Sequence, residues 1–350
     1  MSGDSVLIEQ LAEELTHVDA TRSQRRLYRS MLETVASLAR ARTEVIDLKV
    51  ADSALAEMAE AFAVFQPYRK RRKVTIFGSA RTLPDHPAYL CARDLASSVA
   101  AADWMVVTGA GPGIMAAGME GAGRERSIGV NIRLPFEQGA NAFIAQDPKL
   151  VEMRYFFTRK LMLIKESDGY VVLPGGFGTL DEGYELLTLL QTGKAEPAPV
   201  VMLDIPGGSY WTGWERFLTE QVEPQGLISP EDRSLFMITD DVAVATEELL
   251  GFYRNYRSCR WVGDLLVMRL ATVPDRATLD EINTAFADIV SSGTIRVISP
   301  LPPEQADHDQ LDLTRLAFRF DKIHYGRLRQ LIDRLNQVPV PGVPPEAGLP

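Results

Sequence analysis

Leu173-Pro174-Gly175-Gly176-Phe177-Gly178-Thr179-Leu180-Asp181-Glu182 is a glycine-rich passage between two segments of opposite periodicity. Before it, Gly169-Tyr170-Val171-Val172-Leu173 is a short apolar, β-branched run of the kind that forms a buried strand. After it, Leu180, Tyr184, Leu187 and Leu190 recur at helical spacing. The glycines are therefore expected in a strand-to-helix turn. Glycine lets the backbone approach a ligand with no Cβ in the way, and the open N–H groups and positive dipole end of a new helix attract an anion. The passage reads as a phosphate cradle, with Thr179 expected to cap the helix and Glu182 to complete a Thr-x-x-Glu capping box.

The same strand, glycine turn and helix recur upstream. Lys73-Val74-Thr75-Ile76-Phe77 reads as a first core strand ending in Gly78-Ser79-Ala80-Arg81, followed by a helix from about Pro87 to Ala101. Trp104-Met105-Val106-Val107 reads as a second strand, and Thr108-Gly109-Ala110-Gly111-Pro112-Gly113 as a turn into a helix with Ile114, Met115 and Met119. Ser127–Ile132 supplies a third strand, a loop through Pro135, Gly139 and Asn141 leads to a helix carrying Tyr155–Lys160, and Pro199–Asp204 adds a strand after the central passage. This alternation predicts a doubly wound parallel sheet of Rossmann-like α/β type, in which ligands bind outside the carboxyl ends of the strands.

The run Pro-Gly-Gly-x-Gly-Thr-x-x-Glu, preceded by Phe157-Thr158-Arg159-Lys160, resembles the signature of the LOG (Lonely Guy) family, nucleotide phosphoribohydrolases often labelled lysine decarboxylases. The resemblance covers roughly residues 73–205, from Phe77-Gly78-Ser79 through Gly109–Met115 to the central loop. It implies that Arg159 and Glu182 are catalytic, that Gly175, Gly176, Gly178 and Thr179 hold a 5′-phosphate, and that Gly78 and Ser79 line the same cleft. Gly109, Gly111, Gly113, Met115, Phe156, Lys160 and Pro174 complete the candidate substrate-binding set. The chain departs from the common family pattern at Phe156-Phe157, where many relatives carry Met-His, and at Ala116, where many carry Glu. The implied reaction is hydrolysis of nucleoside 5′-monophosphates to free base and ribose 5-phosphate, with cytokinin ribotides as one candidate class; the implied assembly is a homodimer or larger.

The residues support hydrolysis on their own terms. Breaking an N-glycosidic bond passes through an oxocarbenium-like ribose, so a carboxylate near the anomeric carbon stabilises positive charge and activates water. Glu182 is placed for this, one helical turn from the phosphate cradle, and Arg159 would hold it ionised. Phe156 or Phe157 would stack on the base or pack in the core. The competing readings are a nucleotide or molybdenum-cofactor carrier on the same fold, and an NADP-dependent oxidoreductase. Gly111-Pro112-Gly113-Ile114-Met115-Ala116 fits G-x-G-x-x-A, but the next strand offers Asn131 and Arg133 where an acid should hold a ribose, leaving Arg133 for a 2′-phosphate. There is no Gly-Lys-Ser/Thr of an ATPase loop and no recognisable lysine motif for pyridoxal phosphate.

Outside the sheet, residues 5–65 read as helix throughout, with Leu7, Leu11, Leu15, Leu27, Met31, Val35 and Leu38 at three-to-four spacing. The expected organisation is a helical extension (1–68), the Rossmann-like LOG domain (69–255), a small β-α-β-β-α unit (256–338) and a disordered Pro/Gly-rich tail (339–350). Tyr68-Arg69-Lys70-Arg71-Arg72-Lys73 reads as a solvated linker into the first strand, with RNA contact as the alternative. A formal net charge of −10 argues against a general nucleic-acid binder. The first residues lack a basic segment before an apolar core and no apolar run approaches membrane-spanning length, so a cytoplasmic protein with no membrane partner is expected. Cys91 and Cys259 are far apart and His17, His86, His308 and His324 are scattered, so no metal, cofactor or structural disulfide is expected. Tyr184, Leu186, Leu187, Leu189 and Leu190 present more apolar surface than one sheet face should cover, which points to a dimer through the helices beside the cleft, with cover by the helical extension of the same chain as the alternative.

Overall fold

The computed structural model describes residues 3–16, 20–133 and 139–342 and divides into two compact units, Met1–Ala59 and Glu60–Pro350. The chain begins with three helices, Gly3–Glu14 (α1), Arg22–Arg40 (α2) and Val45–Phe65 (α3). The continuous helix expected over residues 5–65 is thus broken twice. The second helix starts at a capping box in which Thr21 and Gln24 satisfy each other's backbone N–H groups, and after Arg40 the chain turns through Arg42 at a φ of 51°.

The second unit is built on Lys73–Phe77 (β1), Pro87–Ala101 (α4), Met105–Thr108 (β2), Ile114–Ala122 (α5), Ser127–Ile132 (β3), Leu150–Met153 (β4), Phe156–Lys165 (α6), Gly169–Val172 (β5), Phe177–Gln191 (α7), Val200–Leu203 (β6), Tyr210–Phe217 (α8), Met237–Thr239 (β7) and Val242–Gly251 (α9). Seven strands form one sheet in the order β4-β3-β2-β1-β5-β6-β7, all parallel. Its inner strands are buried on both faces, as a parallel sheet covered by crossover helices requires. On one face Val74, Ile76, Val106, Val171 and Val201 join α4, α5 and α9 in one apolar core. The alternate residues meet α6 and α7 on the other face: the Thr75 hydroxyl donates to the Leu163 carbonyl (2.8 Å), the Tyr170 hydroxyl donates to that of Ile164 (2.6 Å), and Gly183 lies over Val172. The sheet is doubly wound. Its strand order reverses between β1 and β5, which run side by side with Phe77 opposite Val172; a crevice opens at such a switch point.

Beyond it lie Tyr256–Val262 (β8), Leu265–Leu270 (β9), Arg276–Ala285 (α10), Val290–Ile298 (β10), Pro302–Ala306 (α11), Thr314–Phe320 (β11) and Tyr325–Asn336 (α12). The strands make an antiparallel sheet in the order β10-β11-β9-β8, so the expected β-α-β-β-α unit has an additional leading strand. Asn336 ties this unit to the end of α9, accepting from the Asn255 and Tyr256 N–H groups (3.0 and 2.8 Å) and donating to the Phe252 carbonyl (2.7 Å). The segment 69–73 is not a free linker either: Arg72 pairs with Asp168 (2.8 Å) and lies 3.4 Å over the Tyr253 ring, and Lys73 is buried. Pro135 and tail residues 343–350 lie outside the described residues. Among the described residues no helix is long and apolar enough to cross a membrane.

Candidate active site

Gly176 is the N-cap of α7 and Phe177 its first residue. Thr179 is therefore inside the first turn, and its hydroxyl does not cap the helix; the expected capping box is not formed. A glycine N-cap carries no side chain to satisfy the first-turn N–H groups, so by helix geometry they face outward without intrahelical partners. That is the arrangement an anion needs. The three loop glycines have different tasks. A Cβ on Gly175 would lie 2.2 Å from the Thr179 hydroxyl oxygen, so this glycine permits the fold of the loop, whereas a Cβ on Gly176 or Gly178 would meet no protein atom within 4 Å and would project into open space. The loop is braced from behind: buried Asp204 accepts from the N–H groups of Tyr210 (2.8 Å) and Trp211 (3.2 Å) at the start of α8, and the Tyr210 hydroxyl donates to the Gly175 carbonyl (2.7 Å).

The opposite wall follows β1. The Ser79 carbonyl accepts from Ile114 N–H (3.0 Å), and its hydroxyl accepts from Arg81 N–H (3.1 Å). Gly113 has a φ of 66° and sits so close to Ser79 that a Cβ would be 2.3 Å from the Ser79 carbonyl oxygen. The two upstream glycine turns are thereby locked together.

Arg159 on α6 and Glu182 on α7 close the site. The Arg159 Nε donates to the Val130 carbonyl (2.9 Å) and its Nη1 lies 3.2 Å from Glu182 Oε1, with side chains only 8% and 14% exposed. Gly109 makes room for this arginine, since a Cβ there would stand 1.8 Å from Nη2. Burial pushes the Glu182 carboxyl up to about 7; Arg159 opposes that rise and Asp181 adds to it. Lys160 reaches Asp181 (3.2 Å) and Glu185. Burial works against its charge, but the contacts with Glu185 and Asp181 outweigh it and hold its pKa above the usual lysine value.

These groups surround one cavity of about 870 Å³. Of the residues expected from sequence, Gly78, Ser79, Gly109, Met115, Phe156, Arg159, Lys160, Gly175, Gly176, Gly178, Thr179 and Glu182 line it. Gly111, Gly113 and Pro174 do not; Gly113 supports the wall and Gly111 abuts the Met115 methyl group. Arg133, considered for a 2′-phosphate, lies outside the cavity and is paired with Glu152 (2.8 Å). Sequence reasoning passed over Arg81, Ile132, Phe177 and Asp181, which also line the cavity. Phe177 is 94% exposed, a position its place between two glycines of the loop would have suggested.

Fold and site together define a Rossmann-like α/β protein with a glycine loop at an open helix N-terminus next to a buried carboxylate–arginine pair. Residues 113–249 match the family described as possible lysine decarboxylase. Over 101 residues the chain is 35% identical to a cytokinin riboside 5′-monophosphate phosphoribohydrolase of Arabidopsis thaliana, covering 29% of this chain and 43% of that one. Over 98 residues it is 37% identical to a probable enzyme of the same name from Oryza sativa subsp. japonica, covering 28% and 43%. The matches span less than half the length of these relatives. The similarity to the LOG family is therefore established, at modest identity, over the centre of the chain. Among solved structures, the molybdenum cofactor binding protein of the phototrophic bacterium Rippkaea orientalis overlaps 51% of this chain and 94% of its own at 17% identity and a TM-score of 0.37, a distance at which nothing about function follows.

Proposed function

We propose that the protein hydrolyses the N-glycosidic bond of nucleoside 5′-monophosphates, cytokinin ribotides among the candidates, giving free base and ribose 5-phosphate, and that it works in the cytoplasm as a homodimer or larger assembly. One observation carries the catalytic reading: the buried Arg159–Glu182 pair lies in the same cavity as the open N-terminus of α7, one helical turn from Gly178. The names of the matched relatives support it.

The 5′-phosphate is held by the N–H groups at Gly176 to Thr179, where backbone dipoles favour negative charge. A helical turn of about 5.4 Å separates this anchor from Glu182, a span comparable to that from the phosphate to the anomeric carbon. Anchoring fixes the ribose against the carboxylate and converts binding into orientation. As the bond from C1′ to the base nitrogen lengthens, ionised Glu182 stabilises the cationic sugar and accepts a proton from the attacking water; the departing base takes its proton from solvent, and Glu182 returns the one it accepted to solvent, so that protons balance over the cycle. Arg159 keeps Glu182 in place and partly ionised. Phe156 and Phe177 stand at the mouth, where an aromatic face would meet the base.

The experiment is incubation of the purified chain with AMP, GMP, CMP, UMP and an isopentenyladenosine monophosphate, following base release by chromatography. Release from at least one is expected; tight binding with no release from any would favour a carrier and overturn the hydrolase reading.

A further inference from the structure

At the opposite ends of the strands lies a second cavity of about 1010 Å³, bounded by Lys73 at the start of β1, by Tyr170 on β5, and by Tyr253, Tyr256 and Arg257 at the junction with the C-terminal unit. Eight Lys and Arg side chains line it against four Asp and Glu. Several of these charges are already matched. Arg72 pairs with Asp168 (2.8 Å), Lys165 with Glu166 (2.6 Å), and Glu185 is taken by Lys160 from the active-site side. The Lys73 ammonium donates to the Tyr68 and Arg71 carbonyls (3.2 and 2.9 Å).

What remains is strongly positive. Arg69, Lys70, Arg71, Lys194 and Arg257 line the cavity with no side-chain hydrogen bond or ion pair among the described residues, while Glu196 is the one acid left beside them. Arg257 is half-buried, and that burial, with the neighbouring Arg72 charge, pushes its pKa below the usual arginine value. Arg69, Lys70, Arg71 and Lys194 are solvent-exposed and keep their hydration, so what sets this place apart is the concentration of like charge along one concave wall, on a chain whose net charge is −10. A multiply charged anion would relieve the repulsion, each guanidinium or ammonium contributing a charge-assisted hydrogen bond. The acidic remainder of the molecule disfavours a nucleic-acid strand, which needs a continuous basic track.

We propose that this cavity is a second ligand site, for a small anion bearing two or more linked phosphates, separate from the candidate active site. The two cavities share α6 and α7: Arg159, Lys160 and Glu182 face one, and Leu161, Lys165 and Glu185 face the other.

Isothermal titration of the full chain with inorganic tripolyphosphate tests this, using two variants. Gly178→Glu places a carboxylate in the first cavity, where a Cβ meets no protein atom; a combined Arg69→Ser, Arg71→Ser, Arg257→Ser change strips the second. Two binding events are expected for the wild type, one for each variant, and at least a tenfold loss of affinity for the second event in the triple variant. Tripolyphosphate should also slow tryptic cleavage at Arg69–Arg71 in both the wild type and Gly178→Glu, a readout independent of how the triple variant folds. Loss of all binding in Gly178→Glu, two undiminished events in the triple variant, or no proteolytic protection would overturn the proposal. Preferential binding of a single-stranded oligonucleotide over tripolyphosphate at equal phosphate concentration would overturn the assignment to a small anion.

Discussion

Glu182 stands under two opposing demands: burial favours its neutral form, and the Arg159 guanidinium 3.2 Å away favours the charged one. With the balance near pH 7, the ionised fraction that the proposed reaction uses grows across the physiological range. In the free enzyme kcat/KM should therefore rise with pH on a limb centred near 7, read from initial rates between pH 5 and 9. Arg159→Met removes the group that opposes the rise, so the limb should move to higher pH; a limb that stays in place would remove Arg159 from this role. Glu182→Gln should lower kcat by at least about a hundredfold while changing ligand affinity little, because the lost charge acts on the transition state and the phosphate anchor is untouched. The same carboxylate affects stability. Its folded pKa is above the unfolded value, so the folded state binds the extra proton, and this contribution is fully present below about pH 4.5 and lost as pH rises through about 7. Urea unfolding at pH 5 and pH 8 should show the wild type losing more stability over that interval than Glu182→Gln; parallel curves would contradict the burial argument.

The phosphate loop is a matter of elements meeting: β5 delivers it, α7 opens from it and α8 braces it through Tyr210. Substitutions at adjacent glycines should therefore fail differently. Gly176→Leu fills open space, so it should weaken ligand binding at nearly unchanged Tm, whereas Gly175→Ala forces a contact with Thr179 and should cost on the order of 1–3 kcal/mol of stability. Calorimetry and ligand titration on the pair decide this; equal loss of Tm in both would contradict the division of tasks. Central strands and their helices were legible because two-sided burial writes continuous apolar runs and helical stripes. The short edge strands β4 and β7 were not, since Leu150–Met153 and Met237–Thr239 are too brief to show a period. In β8 the alternation is masked by Arg257, Ser258 and Arg260. Thr179 was misread for a reason specific to this loop: a glycine N-cap leaves no polar side chain to mark the helix start, so the nearest threonine attracts the assignment. The break before α2 did carry its signal, in Thr21 and Gln24, but residues 5–65 hold no glycine or proline to draw attention to it.

For the whole molecule, the apolar surplus expected on α7 is largely absorbed within the chain. Leu186 and Leu190 are buried, and Tyr184 accepts from the Trp214 indole N–H (2.8 Å) beside Leu187. Large apolar groups remain exposed on the neighbouring α6, Phe157 and Leu161 among them. A homodimer through this side should have about twice the mass of a 38.7 kDa chain in sedimentation at micromolar concentration, and Leu161→Lys should shift it toward monomer; a fully active monomeric wild type would rule the assembly out. At this scale the sequence revealed the doubly wound sheet and, among fifteen candidate positions, twelve that line the cavity, but not the shape that joins them: the approach of Arg159 to Glu182 depends on Gly109 and the Val130 carbonyl, contacts between distant segments that no spacing encodes. The central claim is that this pair cleaves a nucleotide held by the loop. Chromatographic quantitation of both products from a nucleoside 5′-monophosphate tests it most directly: equimolar free base and ribose 5-phosphate from the wild type, with at least about a hundredfold less from Glu182→Gln, is the expected result, and undiminished base release by Glu182→Gln, or none by the wild type, would contradict it.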